Sequence, residues 1–308
     1  MRRILTAALL VASLATAAEA EPFAEAFPDI TQRIKPELQA RTASMQLLHG
    51  KVSLTGNVAE VVVPEGYYLL GPDDARYVVE TLWGNPPDPE LLGLLFPATM
   101  TPFGQNDWGA TFEYDPMGYV SDSDAEGYDY TALLKSMQDD TVSENPDRKK
   151  QGFAEVTLLG WAEPPHYDKA NRSLVWAKRI AFSDAPGAET LNYNIRALGR
   201  KGVLLINFIA GMGQLAEVQA ATPAVMQATH FTEGNRYSDF LPGADTVAAV
   251  GIGGLIAGKV LSSTGILAVA LVFLKKGAII LLLAGAWIVK KLKSVFSRDR
   301  SGGPGPTV

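Results

Sequence analysis

The chain has 308 residues, 47% of them hydrophobic, and no cysteine. That is enough for one sizeable core, and it excludes disulfides, thiolate nucleophiles and thiolate metal sites. The net charge of −6 is unevenly spread: Glu21 to Gly243 hold 17 Lys and Arg against 30 Asp and Glu, a net charge of −13, which repels phosphate backbones and argues against a nucleic-acid partner.

In chain order, Arg2 and Arg3, the apolar run Ile4 to Ala17 and the small-residue site Ala18-Glu19-Ala20 read as a secretory signal peptide over residues 1–20. The alternative is an uncleaved N-terminal anchor; either way the chain after it is exported. Glu21 to Ala43 predicts a short amphipathic helix broken by Pro22, Pro28 and Pro36. From Met45 the period changes to two, with strands on either side of the turn Thr55-Gly56-Asn57. Asp73 is a candidate cap for a helix from Asp74 to about Trp83, ended by Gly84-Asn85-Pro86-Pro87. Leu91 to Phe96 is a short strand or a core loop. Trp108 to Tyr114 alternates, and Asp115-Pro116-Met117-Gly118 predicts a turn that brings Tyr119 and Val120 back as the partner strand.

The acidic loop Ser121 to Asp129 leads into a helix over Tyr130 to Gln138, with Leu133, Leu134 and Met137 on one face. Four strand-like runs follow: Phe153–Trp161, Ser173–Phe182, Thr190–Leu198 and Gly202–Ile209. Val156, Leu158, Val175 and Ala177 are inward candidates, and the last run is apolar enough to be a central strand. Thr222-Pro223 predicts a helix start running to about Thr229, or the continuation of a helix begun near Gln214. Strands in series with a few helices make the exported region, residues 21–243, an α+β domain with a largely antiparallel sheet.

Residues 244–291 read as a membrane anchor. Between Thr246 and Val289 only Lys259, Lys275 and Lys276 are charged, and about 20 apolar residues suffice for a helix to cross a bilayer. Lys290, Lys291, Lys293, Arg298 and Arg300 follow, which places the tail, residues 292–308, in the cytoplasm and the acidic domain in the periplasm of a cell with an inner membrane. Membrane lipid is therefore an expected partner. Gly254 and Gly258, four apart, offer a flat face for another membrane helix, so a second membrane or envelope protein is also expected.

Four motifs stand out in order: GYVSDSDA at Gly118–Ala125, GWAEPPHYD at Gly160–Asp168, LNYNIRALGRKGVL at Leu191–Leu204 and GNRYSDF at Gly234–Phe240. With the C-terminal anchor, they resemble the bacterial membrane-anchored proteins grouped as domain of unknown function family 2167, over roughly Gln46 to the tail. The resemblance implies the anchored, exported architecture and supplies no catalytic residue and no cofactor.

Any chemistry must therefore come from individual residues. Asp122, Asp124, Glu126 and Asp129 alternate like the start of a calcium loop, but Leu133 stands where the bidentate Glu would be, so the choice is between a looser cation site and a solvated loop. Gly253 to Lys259 has P-loop spacing until Val260 replaces the Ser or Thr that would hold magnesium, and no strand precedes it, so no nucleotide is expected. His166 and Asp168 form the closest pair of catalytic type, in what reads as a loop after Pro164-Pro165. The missing catalytic signatures point to a non-enzymatic binding or envelope-organising module, with no cofactor. The alternative is a hydrolase acting on an envelope substrate through Asp122, Asp124 and Asp168.

One span from about Gly254 to Leu274 costs one buried lysine, whereas two spans would carry the basic tail outside; an odd number of crossings is expected. A Ser301→Cys chain in intact spheroplasts should resist an impermeant thiol reagent, and labelling there would show a two-span hairpin.

Overall fold

In the computed structural model, which describes residues 18–104, 106–125 and 128–256, the alternating runs pair into one sheet of eleven strands. These are β1 (Glu19–Pro22), β2 (Gln46–Leu54), β3 (Ala59–Val63), β4 (Tyr67–Leu70), β5 (Leu91–Pro97), β6 (Gly109–Asp115), β7 (Val156–Asp168), β8 (Ser173–Phe182), β9 (Thr190–Leu198), β10 (Val203–Gly211) and β11 (Thr229–Phe231). Their order is β11-β3-β2-β4-β5-β6-β10-β9-β8-β7, with β1 on β2. Every pairing between these strands is antiparallel. The helices are α1 (Phe23–Ala26), α2 (Pro28–Arg33), α3 (Pro36–Ala43), α4 (Pro72–Arg76) with a π-helical continuation Tyr77–Leu82, α5 (Tyr130–Lys150), α6 (Leu215–Ala228) and α7 (Ile252–Ile256). The α+β class with a mostly antiparallel sheet is the one expected.

The period-two pattern explains where the cores sit. In β4, Leu69 faces one way and Tyr68 and Leu70 the other; in β5, Leu95 opposes Leu94 and Phe96. One face carries Phe112, Ile195, Ile206 and Phe208 and buries Val218 and Val225 of α6. The opposite face is covered over β4 and β5 by Phe23 of α1 and by Ala75, Val78 and Val79 from α4 and its continuation. Both faces of β4 and β5 are thus dry, which is why Leu91–Phe96 is a near-continuous apolar run.

Several local expectations are corrected. Tyr119 and Val120 do not return along β6, because β5 and β10 already occupy both of its edges. Instead Gly118, at φ +100°, donates its N–H to the Lys201 carbonyl (3.1 Å), and Tyr119 pairs in parallel with Val247. Pro164-Pro165-His166 is not a loop: β7 continues to Asp168 through three register shifts. It is the edge strand, where prolines that lack an N–H break no ladder on the open side. Asp73 is not a helix cap; Gly71 precedes the helix and Pro72 opens it. The helix at Glu21–Ala43 is three short helices, two of them opened by Pro28 and Pro36. Of the two readings of Thr222-Pro223, the continuation of a helix begun near Gln214 holds: it lies inside α6, with the Thr222 hydroxyl donating to the Val218 carbonyl (2.9 Å). The helix at Tyr130 runs on to Lys150, capped by Asp129, which accepts the Thr131 and Ala132 N–H groups (both 3.0 Å).

At the N-terminal end, Glu19 and Ala20 pair with His49 and Leu48, so strand pairing starts before the expected cleavage point. At the other end, the packed region continues past Gly243. Arg200 grips Asp245 with two nitrogens (Nε to Oδ2 2.7 Å, Nη2 to Oδ1 2.9 Å), and Asp245 also accepts the Leu241 N–H (2.7 Å). Gly254 lies in α7, where a side chain would meet Val250; Gly258 lies outside the described residues. Among the described residues no helix is long and apolar enough to cross a membrane, and the expected anchor from residue 257 onward lies outside them, as do residues 1–17 of the expected signal peptide.

A fragment from Glu19 to Val250 should therefore melt several degrees above one ending at Gly243. Differential scanning calorimetry checks this, and equal melting temperatures would show that the Arg200–Asp245 pair and the Tyr119–Val247 bridge contribute nothing.

Candidate functional site

The site is built on Asp122, which leaves the Gly118 turn just beyond the end of β6. Its Oδ2 accepts from the Tyr167 hydroxyl (2.9 Å) and from Arg172 Nη1 (2.5 Å), and its Oδ1 accepts from the Tyr237 hydroxyl (3.0 Å). The same Tyr237 oxygen takes the Asp122 backbone N–H (3.2 Å). Burial alone would raise the Asp122 carboxyl, but the bonds from Tyr167, Tyr237 and Arg172 outweigh it and hold the group below the usual carboxylate range. Burial and the carboxylate together push both phenols upward, so they stay protonated donors.

Aromatic stacking fixes the geometry. Tyr119 lies on Phe240 (centroids 3.8 Å apart, 15° between planes) and on Tyr237 (4.6 Å), and the Arg172 guanidinium sits over the Tyr237 ring at 5.3 Å. Arg172 has φ +50°, a left-handed backbone unusual for a residue with a side chain. The turn is held by Asp168, which accepts the Ala170 and Asn171 N–H groups (2.9 and 3.1 Å) and the Asn171 side-chain amide (2.6 Å). That amide contact is the main reason the Asp168 carboxyl is lowered.

Beside this hub opens a cleft of about 670 Å³, into which Tyr130, His166, Lys169 and Arg172 face. His166 is exposed and lies 3.4 Å from Glu163. Asp124 turns to other partners, accepting from the Tyr128 hydroxyl and from the Ile252 N–H (3.4 Å). Gly251 and Gly253 let the chain lie against Asp124 and the Tyr128 ring, where a Cβ would collide. The acids that alternate in sequence thus diverge: Asp122 to the phenols, Asp124 to Tyr128, Asp129 to a helix end. Glu126 lies outside the described residues. Among the described residues no three His, Cys, Asp or Glu side chains are grouped to hold a metal ion.

The four sequence motifs meet at this end of the sheet. Gly118, Tyr119 and Asp122 come from the first and Tyr167 and Asp168 from the second. Arg200 comes from the third and Gly234, whose carbonyl accepts from Arg200 (3.0 Å), from the fourth with Tyr237 and Phe240. The family model described as "Protein of unknown function (DUF2167)" matches residues 46–286. The chain belongs to the DUF2167 family. No curated protein sequence matches it. Among solved structures, this DUF2167 chain is similar to cyanobacterial PsbP (CyanoP) from Synechocystis sp., with 11% identity, TM-score 0.33, 59% of this chain and 91% of that one covered. It is also similar to the Ran-binding protein Mog1p of Saccharomyces cerevisiae, with 11% identity, TM-score 0.30, and 62% and 97% covered. Neither similarity bears on the chemistry of the site.

Arg172 and Lys169 carry no signal in the sequence. Arg172 sits in a turn whose left-handed backbone and whose distance from Asp122 along the chain both hide it. Asp122→Ala should destabilise the DUF2167 chain by about 1–2 kcal/mol, the low end for charge-assisted bonds because the carboxylate is partly exposed. The carboxyl is lowered by folding, so this contribution is complete above about pH 4, near the unfolded value, and is lost as pH falls through the folded value. Urea unfolding of both proteins at pH 7 and pH 3 checks this: the difference should shrink at the lower pH.

Proposed function

We propose that the protein is an exported, membrane-anchored binding module of the bacterial envelope, and that the cleft beside Asp122 is its recognition site. The observation that carries this reading is that Asp122 is spent on holding three chain segments together, while Arg172, Lys169 and Tyr130 are left facing the cleft. A saturated carboxylate that positions donors around a concave surface is the build of a preorganised site. The donor-rich lining suits a partner that presents carbonyl or carboxylate oxygens, such as a polar segment of another envelope or membrane protein. With the domain at −13, nucleic acid and nucleotides are poorly matched. The inner membrane, with the main domain in the periplasm and the tail in the cytoplasm, is the placement the apolar C-terminal run and basic tail favour.

The hydrolase alternative needs a carboxyl free to exchange a proton. Asp122 and Asp168 are instead held low by donors, and Asp124 is bonded to Tyr128 and the Ile252 N–H, so the geometry favours binding over acid–base chemistry.

A photo-crosslinking residue in place of Lys169, in the full-length protein in intact cells, should give one discrete protein adduct. That adduct should be lost with Arg172→Ala and kept with Glu65→Gln, a change far from the cleft. Crosslinking to lipid alone, or an adduct indifferent to Arg172→Ala, would sink the proposal.

A further inference from the structure

A second cleft, of about 330 Å³, lies between α5 and the strands β7 and β8. It exists because of how α5 is held. None of the 21 residues of α5 is buried. Polar side chains clamp it to the backbone of β7: Gln138 donates to the Leu158 carbonyl (3.0 Å), and Asn145 both donates to the Val156 carbonyl and accepts its N–H (2.8 Å each). The helix therefore covers the sheet edge without filling the space beneath it. Met137, Val156, Leu158 and Ile180 give the cleft an apolar wall opposite the polar Asp140, Thr141, Glu144 and Arg148 of α5, and Lys178 enters from the middle of β8, paired with Trp161 and Asn192.

Lys178 is short of a partner. Among the described residues its ammonium makes no hydrogen bond and no ion pair, and burial, then the neighbouring Arg196, push it down to about 8. Next to it on the same sheet face lie two further donors without acceptors: the Trp176 Nε1–H and the Arg196 Nε–H, both buried. The Arg196 guanidinium lies over Trp176 at 4.9 Å, and its one side-chain acceptor is Asn207 Oδ1 (2.8 Å). Buried donors without acceptors are costly, whereas the half-buried Lys178 can still reach the open cleft. Of these three donors, Lys178 is the one that lines the cleft. The charged groups around Lys178 are Arg196 from β9 and Asp140, Glu144 and Arg148 from α5.

We propose that this cleft binds a small monocarboxylate with an apolar body, its carboxylate on the Lys178 ammonium and its chain against Val156, Leu158 and Ile180. The apolar part of the wall favours the body, and the Lys178 ammonium supplies the charge, because the lining's other cation, Arg148, already donates its Nε to the Ala154 carbonyl (2.9 Å). Asp140 and Glu144, on the α5 side, disfavour dianions such as phosphate esters. Because the carboxylate pairs with the protonated amine, affinity is level below about pH 8 while the ligand stays ionised, and falls about tenfold per pH unit above it. The cleft shares no lining residue with the Asp122 site, so the inference stands or falls independently of the function proposed above.

Hexanoate labelled with ¹³C at the carboxyl, titrated into the full-length protein in lipid nanodiscs and followed by NMR against empty nanodiscs, tests this. A saturable shift is expected, weakened at least about tenfold by Lys178→Met, retained by Lys178→Arg, and at least about tenfold weaker for hexyl phosphate. Lys178→Met removes a half-buried charge that makes no ion pair among the described residues, so loss of binding should come without loss of melting temperature. Thr141→Trp, from the helix side, fills the same space and should also abolish binding. Absence of a saturable signal in the unmutated protein, equal affinity in Lys178→Met, or preference for hexyl phosphate would overturn the proposal.

Discussion

A sheet of this width has two faces to keep from water, and the chain does not cover them alike. The face under α6 is apolar from β3 to β8. The other face has its packed apolar cluster over β2, β4 and β5, where α1 and α4 lie. Farther along, antiparallel register places Thr111, Asn207, Asn194 and Trp176 in one cross-strand row, with Glu113 and Arg196 in the next. The Asn207 amide bridges these charges, accepting from Arg196 (2.8 Å) and donating to Glu113 (3.2 Å). Burial still pushes Glu113 up to about 7, so the bridge only partly offsets desolvation. An apolar row would be the more stable solution, and the departure from it is confined to the part of the face that leads toward Lys178.

The Asp122 hub solves a different problem. Its partners lie 45, 50 and 115 residues along the chain, so it joins segments that the sheet ladder does not itself connect. The entropy of closing such loops grows only slowly with length, so a single carboxylate with several donors can hold them once β8, β9 and β10 have formed. Stacking of Tyr119 between Phe240 and Tyr237 orients the phenol that Asp122 accepts from. The hub therefore depends on the sheet for position, while the cleft beside it depends on the hub for shape.

Much of the architecture is legible in the residues. The strand-like runs Ser173–Phe182 and Thr190–Leu198 are strands with the limits expected, and the apolar run through Leu204 to Phe208 is indeed central, between β6 and β9. Long-range partnership is not legible: a proline-glycine turn after β6 suggests a hairpin, yet β10, some 90 residues later, takes that edge. Pro164-Pro165 hides an edge strand because loss of an N–H matters only where a neighbour would use it. In the site, Asp122 stands out by its spacing from other acids, whereas its actual partners are phenols and a guanidinium that spacing cannot reveal. Lys178 is one lysine in a strand followed directly by Arg179, and nothing local distinguishes it from a solvated one.

The charge balance of the domain gives these cations their significance. With 30 acids against 17 bases between Glu21 and Gly243, neutralisation is readily available, and Arg41, Lys51, Arg179 and Arg200 each take a carboxylate within 3 Å. Lys178 makes no such pair among the described residues, and Arg172 commits one nitrogen to Asp122 while facing a cleft. An anionic ligand approaching either cleft meets net repulsion at long range and attraction only at contact. Salt screens the first over roughly 8–10 Å and a desolvated contact much less. Recognition at such sites is thus selected by fit at short range rather than by electrostatic steering, and moderate ionic strength should favour association instead of weakening it.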